Sequence, residues 1–221
     1  MAKLIALVGE TGSGKSHSIQ FLDPKETYII SVAGKELPFK GSANLYNRDS
    51  KNYKDVSEIT EVSRLLQTLS DNAPQIKTIL IEDGNYLMAF SLVEKATETG
   101  YSKFSILCQQ MVNLIQGVKK LRDDLTVIYV SHLDEVEDAG DIVSYKMKTA
   151  GRMIDNQIKL EGLFTVVLYS VPETKGEKTD YGFITNRYKK YPAKSPVGMF
   201  DEIRIPNNLK IVIEKVNEYY K

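Results

Sequence analysis

The stretch Met1-Ala2-Lys3-Leu4-Ile5-Ala6-Leu7-Val8-Gly9-Glu10-Thr11-Gly12-Ser13-Gly14-Lys15-Ser16 decides the fold. Leu4 to Val8 form an unbroken apolar run, which predicts a short buried strand over 1–8. It runs straight into Gly9–Ser16, a complete G-x-x-x-x-G-K-[ST] phosphate-binding loop in the strand-to-helix context that this motif requires. The residue types have physical reasons. Glycines let the backbone curl so that several N–H groups face one polyphosphate. A helix predicted over 15–22 would turn its partly positive end to the same anion. Lys15 would reach the β- and γ-phosphates, and the Ser16 hydroxyl would hold Mg²⁺. Gly9, Glu10, Thr11, Gly12, Ser13, Gly14, Lys15, Ser16 and His17 form the candidate nucleotide-binding set.

Working outward, strands are predicted over 27–32 (TYIISV), 77–81 (KTILI), 125–130 (LTVIYV) and 164–171 (FTVVLYSV), all strongly apolar. Helices are predicted over 55–69, 104–121, around 152–158, and after Pro206-Asn207. Residues 33–56 read as a long irregular segment, which in a compact domain is more often functional than idle. Asp134–Asp141 reads as a charged loop. Thr174–Asp180 reads as a polar turn, Tyr181–Thr185 as an antiparallel return strand, and 186–200 as a basic loop. Strands alternating with helices predict an α/β fold, a mainly parallel sheet with helices on both faces and an antiparallel extension near the C-terminus. A single domain over 1–221 is expected, with the hairpin and basic loop over 172–200 as its appendage.

Lysine plus arginine equals aspartate plus glutamate, 29 against 29, so contact with nucleic acid has to come from a local patch. The lone Cys108 excludes an intramolecular disulfide and a cysteine-based metal site. The sequence has no apolar run near the roughly 18–20 residues that cross a bilayer. With the first strand beginning at the amino terminus, a soluble, cytoplasmic chain with no membrane partner is expected.

In an open parallel sheet the ligand sits beyond the strand C-termini. Glu82-Asp83 follows the third apolar strand there, in the place of the acids that hold Mg²⁺ and polarise an attacking water. Successive strand residues point to opposite faces, which leaves open which acid faces the site. His132, just past the fourth strand, is a candidate for contact with a γ-phosphate or water, or a hydrogen-bonded turn histidine. Lys15, Glu82, Asp83 and His132 form the candidate catalytic set, and Ser16, Glu82 and Asp83 the candidate metal set. Arg187, Tyr188, Lys189, Lys190 and Tyr191 interleave charge with aromatic faces, as single-stranded nucleic acid requires, or form a solvated basic turn.

With these segments placed, the chain resembles a phage-borne group of P-loop ATPases with a RecA-like core, whose members include single-strand annealing proteins of recombination modules. The resemblance rests on Gly9–Ser16, on Lys35-Glu36-Leu37-Pro38-Phe39-Lys40-Gly41, and on Ile81-Glu82-Asp83-Gly84-Asn85-Tyr86-Leu87-Met88. It continues through Leu121-Arg122-Asp123-Asp124-Leu125-Thr126-Val127, Ser131-His132, Gly151-Arg152-Met153-Ile154-Asp155, Glu161-Gly162-Leu163-Phe164 and Ala193-Lys194-Ser195-Pro196. The family tends to carry Asp-Asp where this chain has Glu82-Asp83. The resemblance implies binding of ATP and ADP with Mg²⁺, ATP hydrolysis, homo-oligomeric assembly and action on single-stranded DNA in recombination or replication, in the host cytoplasm for a phage protein. In such an assembly Lys194, or Arg152, would be a cation acting on a neighbour's γ-phosphate. Two other classes share the loop, a small-molecule nucleotide kinase and an ATP-binding assembly switch with little turnover. Six scattered arginines supply no arginine-rich lid for a kinase.

Overall fold

The computed structural model describes residues 1–100, 102–150 and 158–221. Their strands are β1 (Lys3–Gly9), β2 (Thr27–Ser31), β3 (Tyr53–Asp55), β4 (Thr78–Glu82), β5 (Thr126–Asp138), β6 (Asp141–Met147), β7 (Val166–Lys175), β8 (Lys178–Ile184) and β9 (Arg204–Pro206). The helices are α1 (Ser42–Leu45), α2 (Ile59–Asn72), α3 (Asn85–Glu94), α4 (Ser102–Val118) and α5 (Leu209–Tyr219). The sheet runs β3-β2-β4-β5-β1-β7-β8-β9, with β6 paired to the outer half of β5. Pairing is parallel from β3 through β7, whereas β8 and β9 add antiparallel and form the expected extension.

Alternation along the central strands feeds two cores. Ala6, Val8, Ile79, Ile81, Val127 and Tyr129 face α2, α3 and α4. Ile5, Leu7, Ile29, Leu80, Ile128 and Val130 face the other way, against Ile19, Leu209, Val212 and Val216. Because both faces are covered, the strands read as continuous apolar runs. Each buried aliphatic side chain contributes about 1.5–3 kcal/mol, so the register of β1 between β5 and β7 is strongly fixed.

Several expectations need correction. The helix expected over 15–22 is a six-residue 3₁₀ helix, Ser16–Phe21. Ser18 competes for the helix backbone by donating its hydroxyl to Lys15 O, and Pro24 restricts the chain just beyond. The irregular segment 33–56 contains α1 and the edge strand β3. It is stitched together by buried Asn52, whose amide donates to Pro24 O and Leu45 O at 3.0 and 2.8 Å. Helix α2 starts at Ile59 rather than Asp55, since Tyr53–Asp55 pairs with β2. Helix α3 occupies a stretch where no element was expected. The helix expected over 152–158 lies outside the described residues except for Ile158.

The largest difference is at Asp134–Asp141, which is a β-ribbon rather than a loop. Strand β5 continues for 13 residues, and its outer half pairs with β6 across a two-residue turn. Ala139 and Gly140 both take positive φ, 51° and 89°, the primed-turn geometry that suits a twisted ribbon. A second ribbon, β7–β8, turns at Gly176 (φ +62°), where a seven-residue polar turn was expected. Strand β1 lies between β5 and β7, so the loop after β1 emerges between two projecting ribbons.

Gly84 joins β4 to α3 and lies against the ring of fully buried Tyr129 on β5, where an added Cβ would come within 2.5 Å of a ring carbon. Gly84→Ala should therefore cost about 1–3 kcal/mol of stability, read by urea unfolding, by forcing that ring or the β4–α3 turn to move. A variant as stable as the wild type would refute this packing account.

Candidate functional site

Gly9 has to be glycine. A Cβ there would sit 2.6 Å from Ser13 Oγ and 2.8 Å from Ser170 O, so a side chain would push the loop off β7. Gly12 and Gly14 take φ of +78° and +94°, in the region that favours glycine. Lys15 is buried, and its ammonium donates to Gly9 O and Glu10 O at 2.8 and 2.7 Å, beneath the curl of the loop. Burial pulls its pKa down to about 8, against the pull of Glu82 and Asp83. The short 3₁₀ helix that follows gives little dipole, so the anion-binding capacity of this loop rests on its N–H groups and Lys15.

The two acids converge for a backbone reason. Asp83 takes φ +57°, so the extended geometry ends at Glu82 and strict side-to-side alternation ends with it. Both carboxylates consequently line the same cavity of about 520 Å³ as Thr11–His17. Glu82 Oε1 accepts the Ser16 hydroxyl, so the longer glutamate side chain spans the gap. Burial raises its pKa to about 7. Its Oε2 is buried without a hydrogen-bond partner. A hydroxyl beside a carboxylate with a spare oxygen suits a hard divalent cation such as Mg²⁺. Among the described residues there is no cluster of three or more His, Cys, Asp or Glu that would form an all-protein metal cage.

Asp83 is held differently. Lys35 Nζ lies 2.6 Å from Oδ2 and His132 Nε2 lies 3.3 Å from Oδ1. Burial alone would raise the Asp83 pKa, but hydrogen bonds and charge from His132 and Lys35 outweigh it and hold the carboxyl below its ordinary value. His132 is fixed in turn. Its backbone N–H donates to Asn85 Oδ1 at 3.0 Å, Tyr86 meets its ring edge-on at 5.8 Å, and Thr11 Oγ1 lies 3.5 Å from Nδ1. The cavity thus combines a cationic floor, a buried acid on the Ser16 side and an ionised acid on the other.

Lys35 and Tyr181 were not anticipated as site residues. Lys35 lay within a segment marked by its irregular length and by resemblance but with no role given to this lysine in the site, and its place there depends on folding from β2 towards β4. Tyr181 projects from β8 over Gly14, where an added Cβ would lie 2.8 Å from its ring, and it sits 6.5 Å from the His17 ring. No local pattern announces either residue.

The basic stretch is divided. Arg187, Tyr188, Lys189 and Lys190 are exposed, with Lys189 (φ +51°) placing its ammonium 5.0 Å from the Tyr188 ring centre. Tyr191 instead stacks on Tyr145 at 4.8 Å and leans on Tyr169, so its ring serves packing inside the chain. Lys194 bridges the backbone of Val167 on β7, level with Ala6 and away from the cavity lining. Arg152 lies outside the described residues.

Comparison with known proteins agrees with this architecture. The family model described as an AAA domain matches residues 1–197. No curated protein matches the chain. Among solved structures, the KaiC-like protein PH0186 from Pyrococcus horikoshii OT3 is similar in fold, at 11% identity over 87% of this chain and 82% of its own, with a TM-score of 0.50. No described helix is long and apolar enough to cross a membrane. A phosphate loop on the central strand and paired acids at the end of β4, within a match that covers most of the sequence, place the chain in the AAA domain family.

Proposed function

We propose that the protein is a Mg²⁺-dependent ATPase that works with single-stranded DNA, in the recombination or replication of a phage. The observation that carries the ATPase reading is the meeting of the Ser16 hydroxyl and buried Glu82 beside Lys15, with Asp83 held opposite by Lys35 and His132. The loop N–H groups and Lys15 would bind and orient the polyphosphate. Ser16 and Glu82 would hold Mg²⁺, which would supply charge stabilisation to the polyphosphate. Asp83 would orient the attacking water. Its lowered pKa makes it a weak base, so its contribution is positioning rather than full proton removal. His132 would steady Asp83 and the water. Attack on the γ-phosphorus breaks the bond to the bridging oxygen, giving ADP and phosphate.

The kinase reading loses support because, among the described residues, no arginine lines the cavity. One observation favours an ATP-binding switch with little turnover. The 2.6 Å pair between Lys35 and Asp83 occupies the acid that would orient water. ATP turnover measured with and without single-stranded DNA decides between switch and ATPase. The DNA part of the proposal draws support from the exposed cations Arg187, Lys189 and Lys190 around half-exposed Tyr188.

Lys15→Ala should abolish tight binding of MgATP while leaving a folded protein, since its ammonium meets loop carbonyls rather than the core and would serve the phosphates. Unchanged affinity in a titration with a labelled ATP analogue would remove the nucleotide reading.

Glu82→Gln tests the buried acid through pH. The folded chain holds the Glu82 proton more tightly than the unfolded chain, because its pKa is raised to about 7. That stabilisation is full below the unfolded carboxyl's pKa and is lost as pH rises through about 7. The variant should therefore gain stability relative to wild type between about pH 5 and about pH 8 in urea unfolding. Parallel pH profiles would contradict the assignment.

Replacing Arg187, Lys189 and Lys190 together with alanine should weaken single-stranded DNA binding and flatten its salt dependence by about 0.7 log unit per lost phosphate contact. A wild-type salt slope would mark this turn as simply solvated.

A further inference from the structure

The phosphate loop is oriented from behind by residues that belong neither to its motif nor to its acids. Ser170 lies on β7 opposite Gly9, is buried, and donates its hydroxyl to Ser13 O at 2.7 Å. Asn207, between β9 and α5, donates its side-chain amide to Ser170 Oγ at 3.4 Å and its backbone N–H to Tyr181 O at 3.2 Å. The same amide backs Gly14 closely enough that an added Cβ would meet it at 3.1 Å. Asn207 lies outside the span that the family model matches.

The consequence follows from peptide geometry. In a planar trans peptide the carbonyl and the next N–H point to opposite edges. With Ser13 O tied towards β7, the Gly14 N–H is turned away from β7, on the edge opposite that bond. Gly14 has φ +94° and no side chain, so the Ser13–Gly14 plane could turn over at small steric cost if Ser13 O were released. A turned-over plane would present a carbonyl where an N–H donor is needed. We infer that Ser170, supported by Asn207, is a positioning residue for nucleotide binding: it fixes this peptide so that its N–H serves the phosphates. The inference rests on the reading of Gly9–Ser16 as a nucleotide site.

The test compares Ser170→Ala, Ser170→Thr and Asn207→Ala with the wild type in the full chain. Each is titrated with Mg²⁺ and a non-hydrolysable ATP analogue, then with ADP, and its Tm is recorded. Ser170→Ala should raise Kd for both nucleotides about five- to tenfold, the loss of one buried hydrogen bond that orients a donor. Ser170→Thr keeps the hydroxyl and should stay within about twofold of wild type. Asn207→Ala should fall between them and add little on top of Ser170→Ala. A role confined to folding would lower Tm and leave Kd of the folded protein unchanged, and that result overturns the inference. If Ser170→Ala does not fold, a wild-type Kd for Asn207→Ala overturns it equally. Wild-type protein that binds no nucleotide would bring down the site reading as well. A wild type that binds, alongside Ser170→Ala binding as tightly, removes only this inference.

Discussion

The contact between the Ser16 hydroxyl, past the loop that follows β1, and the Glu82 carboxylate, at the end of β4, ties together two strands that are not neighbours. Strand β5 lies between β1 and β4, so the contact forms only if both hold their registers against it. Those registers are set by buried side chains. Lys3 to Gly9 align with Thr126 to His132, and Thr78 to Ile81 align with Thr126 to Tyr129. A one-residue slip in any pair would exchange the side chains fitted to the two cores and separate the hydroxyl from the acid together. Core packing and site geometry are therefore the same constraint seen from two ends of the sheet.

One departure from regular geometry lies at that edge. Asp83 leaves the extended region directly after Glu82, which brings two neighbouring acids into one cavity and gives them unlike surroundings. One is buried and keeps its proton to about pH 7, while the other is kept ionised by two partners. Positive φ at a non-glycine residue is costly, and here it is held by the Gly84 N–H bond to Val130 O at 2.7 Å and by the Tyr129 ring under Gly84. The unlike surroundings of the two acids originate in a single backbone turn.

Much of this was legible in the sequence. The apolar runs gave the parallel strands, because a strand covered on both faces has no polar residue to interrupt it. The phosphate loop, the acids after β4 and His132 were marked by residue type and position. The β5–β6 ribbon was hidden because Leu133–Asp138 is solvated and charged, and its turn uses Ala139-Gly140 instead of an asparagine–glycine pair. Helix α3 was hidden because apolar residues surround it on every side and leave no stripe to count. That Glu82 rather than Asp83 meets the Ser16 hydroxyl was illegible because it depends on one φ angle, and the partnership of Lys35 with Asp83 because it spans two loops.

Strand β5 is continuous from the core through His132 to the ribbon tip. At about 3.3 Å per residue, Asp138 lies roughly 20 Å beyond His132 along the strand. The histidine that meets Asp83 therefore lies partway along one uninterrupted strand, which pairs with β1 up to His132 and with β6 alone beyond it. The register shift between Val136 and Glu137 falls in that outer part, beyond the point where Asn85 accepts the His132 N–H.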